Sequence, residues 1–141
     1  MAVWVVYALL AAVFAACVTL FAKIGLSGVD PVVATTIRAG VMTLLLVGVC
    51  LAAGKRADAS IDRAAILWIS ASRVAGALSW LFYFLALRDG SAAAVAALDR
   101  TSIVFILLGS AAFLAERLTI RSAAGAALVV LGAVLLTYKS G

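Results

Sequence analysis

Five long apolar stretches dominate the sequence, and each is long enough to cross a lipid bilayer as an α-helix. They cover residues 2–22, 31–53, 64–87, 91–115 and 120–138, with short polar segments between them. A bilayer core of about 30 Å requires about 20 apolar residues in a helix. Their continuous apolar runs differ from the period-two alternation of membrane β-strands. The sequence therefore predicts an all-α integral membrane protein, a single domain over residues 1–141 that forms a bundle of five transmembrane helices.

The overall composition indicates the same class. Hydrophobic residues make up 67% of the 141 residues and charged residues only 12%, whereas soluble domains are about half apolar and about a quarter charged. The chain has no histidine, its two cysteines lie in apolar stretches, and no two carboxylates are positioned for acid–base work. We therefore expect no enzyme activity, no metal site and no cofactor, while coupling of a membrane charge to protons stays open.

Basic residues outside the spans show a weak bias between the two faces of the membrane. Five lie on the face that carries the N-terminus and three on the other: Lys55, Arg56, Arg63, Arg117 and Arg121 against Lys23, Arg88 and Lys139. Positive charge favours the cytoplasm, so we predict a multi-pass protein of the inner (plasma) membrane with a cytoplasmic N-terminus. The bias is slight enough to allow some copies to insert the other way up. The scattered basic residues form no patch for nucleic acid.

Four ionisable residues fall well inside the predicted spans: Arg38, Arg73, Asp99 and Arg100. Each costs about 2.5–3.5 kcal/mol at the centre of a membrane helix. Asp99 and Arg100 are adjacent, so their side chains point about 100° apart and cannot fully neutralise each other. Depth along the helices, at about 1.5 Å per residue, predicts Arg38 as the partner of Asp99.

Charged residues in the membrane are functional candidates by default, so we predict that these four bind or gate a solute. Three arginines against one aspartate favour an anionic or carboxylate-bearing solute. The structural alternative is that the arginines reach the lipid headgroups and that Asp99 only fixes helix packing. Small residues at Ser72 and Gly76, and at Gly125 and Gly132, predict close contacts between helices.

The second half of the chain carries an ordered series of short motifs. An aromatic-rich helix ends in Ala86-Leu87, a small-residue turn follows at Gly90-Ser91, the next helix ends in Glu116-Arg117-Leu118-Thr119, and the last helix contains two spaced glycines. In the first half, Lys23 lies near the end of the first span, Pro31 follows the loop, and Arg38 lies in the second span. In this order and spacing, the chain resembles the EamA-type repeat of the drug/metabolite transporter superfamily over nearly its whole length.

The resemblance implies a transmembrane transporter that exports or exchanges a small metabolite or drug-like solute by alternating access. Longer members resemble two inverted five-helix repeats. This chain holds one repeat, so the resemblance implies a homodimer, in the antiparallel arrangement if both orientations occur. Lys23 and Glu116 would then line the mouths of the pathway. A second hypothesis stays open, in which the chain is a non-transporting membrane subunit that scaffolds or regulates a partner complex.

Overall fold

The computed structural model describes residues 3–54 and 62–138, and this part of the chain contains six α-helices. They are α1 (Val3–Gly25), α2 (Pro31–Ala52), α3 (Arg63–Asp89), α4 (Ala92–Asp99), α5 (Ser102–Phe113) and α6 (Ile120–Tyr138). Helices α4 and α5 belong to one apolar stretch, Ala92–Phe113, so 5 stretches are long and apolar enough to cross a membrane. The predicted all-α class with five spans is confirmed. Of the residues used to predict topology, Lys55, Arg56 and Lys139 lie outside the described residues.

Polar side chains fix where the helices begin. Asp30 has extended backbone angles, and its carboxylate accepts hydrogen bonds from the backbone N–H groups of Val32 at 2.8 Å and Val33 at 3.3 Å. Pro31 occupies the first helical position, where its missing N–H would have no intrahelical partner anyway. The Ser91 hydroxyl likewise accepts a bond from the Ala94 N–H at 3.3 Å and starts α4. These are the N-cap residues that helices prefer, because they satisfy otherwise unpaired donors.

Thr119, the last residue of the Glu-Arg-Leu-Thr motif, has the same role for α6. Its hydroxyl accepts a bond from the Ser122 N–H at 3.1 Å, and the Ser122 hydroxyl accepts one from the Thr119 N–H at 3.1 Å. This reciprocal arrangement satisfies two donors at the helix start, as in a capping box. The motif therefore positions the final span.

Two residues after the end of α5, Ala115 has an unusual backbone conformation. The Ser110 carbonyl accepts hydrogen bonds from the N–H groups of Leu114 at 3.0 Å and Glu116 at 3.2 Å. Between these two donors, Ala115 has φ 53°, in the left-handed region that residues other than glycine rarely adopt. The turn that reverses the chain after α5 is therefore strained at an alanine.

The chain divides into two compact units. One combines the chain up to Lys23 with the chain from Asp89 onward, and the other runs from Ile24 to Arg88. In the first unit α4 and α5 pack against α6, and the buried side chains of these helices are small or β-branched: Ala94, Val95, Ser110, Ala126 and Ala133. The second unit consists of α2, the loop before it and almost all of α3.

Most large apolar side chains are exposed on the helices. Leu44 is 75%, Phe105 74% and Trp68 77% exposed. Such surfaces are unfavourable in water and favourable in hydrocarbon. Threonine hydroxyls on the helices donate to backbone carbonyls one turn earlier, as Thr19 does to Ala15 at 3.0 Å, so these polar groups are satisfied within their own helix.

Candidate functional site

A cavity of about 410 Å³ lies between α2 and α3, and it contains two of the arginines predicted to form the site. Arg38 enters it from α2 and Arg73 from α3. On α2 the lining residues Thr35, Arg38 and Met42 lie at positions i, i+3 and i+7, which share one face of a helix. The fold of this unit therefore brings two positive charges to one cavity within the membrane spans.

The Arg38 guanidinium stacks on the indole of Trp80, with 3.4 Å from its central carbon to the ring centroid. Trp80 is held in turn by edge contacts with Tyr83 and Phe84, whose ring centroids lie 5.3 and 5.8 Å away. Phe84 is buried. A cation over the face of a tryptophan is attracted by the ring quadrupole, most strongly where water is excluded. Packing thus fixes the aromatic surface on which the guanidinium lies.

This contact changes the interpretation of Arg38. Sequence reasoning paired Arg38 with Asp99 by depth in the membrane. In the structure Arg38 lies on Trp80, and Trp80 lines the cavity. Asp99 belongs to the other compact unit, so its pairing with Arg38 stays a prediction. Arg38 and Met42 are four residues apart on α2, and Arg73 and Trp80 are seven apart on α3, so each pair lies on one face of its helix. This periodicity is the sequence signal that could have identified the cavity.

The fourth span is interrupted at Asp99, Arg100 and Thr101. Here backbone hydrogen bonds change from the α-helical pattern to bonds between residues three apart: the N–H of Thr101 donates to Leu98 at 3.0 Å, that of Ile103 to Arg100 at 3.2 Å, and that of Val104 to Thr101 at 3.0 Å. The Thr101 hydroxyl also donates to the Leu98 carbonyl at 2.6 Å. A short 3₁₀ segment inside a helix often marks a hinge or strain.

The side chains of Asp99 and Arg100 are both exposed at this interruption. Sequence reasoning identified these charges and predicted one helix over residues 91–115. A single span is observed over Ala92–Phe113, and a tight turn with altered hydrogen bonding divides it into α4 and α5. The two intramembrane charges of this span therefore coincide with the change in its backbone hydrogen bonding.

The two residues predicted to line the pathway mouths lie at the ends of helices. Lys23, in the last turn of α1, donates a hydrogen bond from Nζ to the Gly90 carbonyl at 2.8 Å and is half-buried. Glu116 is exposed in the connection between α5 and α6. Lys23 thus has a structural contact as well, whereas the carboxylate of Glu116 is open to solvent. Their role in a pathway stays a prediction.

The small residues predicted to pack helices have different surroundings from those expected. Ser72 and Gly76 line the cavity beside Arg73. A Cβ atom added at Gly76, Gly125 or Gly132 would meet no heavy atom within 4 Å outside its own helix in the described part of the chain. On α6 the buried small residues are Ala126 and Ala133 instead. Close packing at the glycines stays a prediction for a contact with another molecule.

Within residues 3–54 and 62–138, no group of three or more His, Cys, Asp or Glu side chains is placed to bind a metal ion. The described cavity between α2 and α3 is lined by two guanidinium groups, residues with hydroxyl side chains, one indole ring and apolar side chains.

Comparison with known proteins adds independent evidence. The model of the EamA-like transporter family matches residues 2–138. The chain is also 37% identical over 134 residues to a Sinorhizobium sp. protein named "Uncharacterized transporter in cobO 3'region", covering 94% of this chain and 95% of that protein. No solved structure matches the chain significantly. The chain is thus a multi-pass membrane protein that belongs to the EamA-like transporter family, of the drug/metabolite transporter type.

Proposed function

We propose that the protein is a half-transporter that moves a small solute across the inner membrane by alternating access, as a homodimer. The observation that carries this proposal is the interruption of the fourth span at Asp99, Arg100 and Thr101, which puts two exposed charges at a break in a membrane helix. Discontinuous membrane helices commonly bind substrate and coupling ions in secondary transporters. The family membership makes solute transport the function to which such a break would contribute.

Alternating access requires an element that has two arrangements of similar free energy. Three backbone hydrogen bonds within residues 98–104 join residues three apart. Their geometry is poorer than that of the hydrogen bonds in the flanking α-helices. A change in this segment would reorient α4 against α5 at small cost. Asp99 and Arg100 would then bind the solute, or side chains of the second copy, in only one of the two arrangements. Coupling to protons through Asp99 belongs to the same proposal.

The dimer completes the proposal. Larger transporters of this architecture use two five-helix repeats around a midplane site, and this chain supplies one. A second copy in the opposite orientation would supply the other. An N-terminus in the cytoplasm for one copy and outside for its partner is then expected.

The first experiment identifies a solute and then tests the two charges. Metabolite efflux is compared between cells that lack and cells that overproduce the protein, and the solute that differs is used for counterflow in proteoliposomes. We expect Asp99→Asn and Arg100→Gln each to reduce the counterflow rate by about tenfold or more, since loss of a charge-assisted hydrogen bond costs about 1.5–3 kcal/mol.

Two matched variants serve as controls. Asp62→Asn removes an exposed carboxylate at the start of α3, and Arg121→Gln removes an exposed guanidinium in the first turn of α6; neither should change the rate. Unaltered counterflow by both Asp99→Asn and Arg100→Gln would remove the site assignment. A purified protein without flux that copurifies with a stable partner would instead support the scaffold hypothesis.

A further inference from the structure

We propose that the cavity between α2 and α3 binds a small organic carboxylate that also carries a hydroxyl or amino group, with the guanidinium groups of Arg38 and Arg73 as its anchors. The inference rests on the proposed function in one respect, that this ligand is the transported solute. Every side chain used in the argument belongs to the unit from Ile24 to Arg88.

The charge of the cavity indicates an anion. Arg38 and Arg73 both line it, and none of its described lining residues is acidic. Two positive charges inside membrane spans are costly unless they are paired. A carboxylate that accepts hydrogen bonds from a guanidinium forms the strongest type of pair that such a site offers, with planar geometry on both sides.

The stack of Arg38 on Trp80 prepares one guanidinium for this task. The ring covers one face of the guanidinium at 3.4 Å, and the N–H donors of a guanidinium lie in its plane. The stacked face is therefore occupied, while the donors at the edge stay available to a planar carboxylate. Because Tyr83 and Phe84 hold Trp80, less side-chain freedom is lost when a ligand binds.

The hydroxyls of the cavity add a second requirement. Thr35 donates its proton to the Pro31 carbonyl at 2.7 Å, and Thr43 donates to the Ala39 carbonyl at 2.9 Å. Both threonines line the cavity, and because their hydroxyl protons are already donated, their oxygens are left as acceptors. A ligand matches them with a donor of its own, such as a hydroxyl or an ammonium group.

Size and apolar surface favour a carbon compound over inorganic phosphate. The volume of about 410 Å³ lies toward the small end of the roughly 300–1,000 Å³ of ligand pockets. Met42, Ala39 and Ala77 supply apolar wall, which a fully polar phosphate would leave unused.

Tryptophan fluorescence can measure binding at this site directly. The chain has three tryptophans, and Trp4→Phe with Trp68→Phe leaves Trp80 as the reporter. The protein is placed in phosphatidylcholine nanodiscs and titrated with lactate, serine and malate. We expect a saturable change in Trp80 emission with at least one of these three.

Analogues of the compound that binds test which of its groups matter. The analogue that lacks the hydroxyl or amino group, for example propionate in place of lactate, should bind roughly two- to tenfold more weakly. The neutral amide, for example lactamide in place of lactate, should bind more weakly by a factor of about ten or more.

Variants locate the response. Arg38→Gln and Arg73→Gln should each weaken binding about tenfold or more, while Arg121→Gln should leave it unchanged. Arg38→Lys keeps the charge but loses the planar fork, so it should fall between the wild type and Arg38→Gln. If Arg38→Gln does not fold, as judged by its melting profile, the Arg38→Lys and Arg73→Gln results still decide.

Three outcomes would overturn the inference: no saturable response to any of the three carboxylates, equal binding of an acid and its amide, or full binding in both glutamine variants. Loss of the response when phosphatidylglycerol replaces part of the phosphatidylcholine would assign the site to lipid headgroups instead. The assay requires no flux. Transport lost in Asp99→Asn with binding intact would therefore support both proposals and assign Asp99 to the change between the two arrangements, whereas binding without any flux in the wild-type protein would contradict only the transport function.

Discussion

Arg38 illustrates how an aromatic ring accommodates a charged side chain in a membrane span. The indole of Trp80 covers one face of the guanidinium, and a cation–π contact contributes from about 0.5 to about 2 kcal/mol, depending on exposure. This offsets only part of the insertion cost of an arginine, which is about 2.5–3.5 kcal/mol. The remainder is left for a ligand or for water, and Arg38 can thus be both tolerated and available for binding.

Ala115 gives a residue-scale prediction about stability. Its φ of 53° costs an L-residue about 1–2 kcal/mol, whereas glycine adopts this region freely but has higher entropy in the unfolded chain, worth about 0.4–1 kcal/mol. We expect Ala115→Gly to raise the free energy of unfolding by up to about 1 kcal/mol. Equilibrium unfolding in mixed detergent micelles would measure it.

Ala112→Gly is the matched control, since it makes the same chemical change three residues earlier, inside α5. Glycine in the body of a helix is destabilising by about 0.5–1 kcal/mol. Opposite signs for the two variants would confirm the left-handed turn. A loss of stability in both would argue against it.

At the scale of the element, helix starts depend on single side chains. The Asp30 carboxylate accepts two backbone N–H bonds at the start of α2, the shorter at 2.8 Å, while that of Asp62 accepts one longer bond, 3.4 Å, from Ala64 near the start of α3. N-cap removal costs about 1 kcal/mol. Asp30→Ala should therefore lower the unfolding free energy by about this amount.

The same unfolding experiment includes two comparisons. Asp30→Asn keeps an acceptor and should stay close to the wild type, and Asp62→Ala should cost less than Asp30→Ala because its bond is longer. If Asp62→Ala proved the more damaging, the cap at Asp30 would not be the main determinant of where α2 begins.

The sequence was sufficient to predict these elements because hydropathy and length decide what crosses a bilayer. The predicted span 31–53 and the observed Pro31–Ala52 differ by one residue, and the last span, 120–138, agrees fully. The break at Thr101 was not predictable from hydropathy, since every residue there has helical backbone angles and only the hydrogen bonds differ. The stack of Arg38 on Trp80 joins two helices, so neither local pattern specifies it.

At the scale of the whole molecule, the proposed antiparallel homodimer combines two five-helix chains of opposite orientation. The weak charge bias predicted from the sequence allows both orientations, and an antiparallel pair needs both. We expect reporters fused to either terminus, one active in the cytoplasm and one outside it, to show two populations of the same protein.

The charge bias can be changed to test this directly. Adding two lysines to one short loop should shift the populations toward the orientation with that loop inside, and transport should fall as one orientation becomes rare. A wild-type protein with a single fixed orientation and full transport activity would exclude the antiparallel homodimer.

The hydrogen bond from Lys23 to the Gly90 carbonyl has a consequence for how the protein is made. It joins positions 67 residues apart in the chain, so it cannot form until the third span has been synthesised. At about 5–20 residues per second, roughly 3–13 s pass between the appearance of its two ends. The end of the first span thus reaches its final surroundings late, after two further spans have entered the membrane, and a pause in synthesis between them would leave the first unit unassembled.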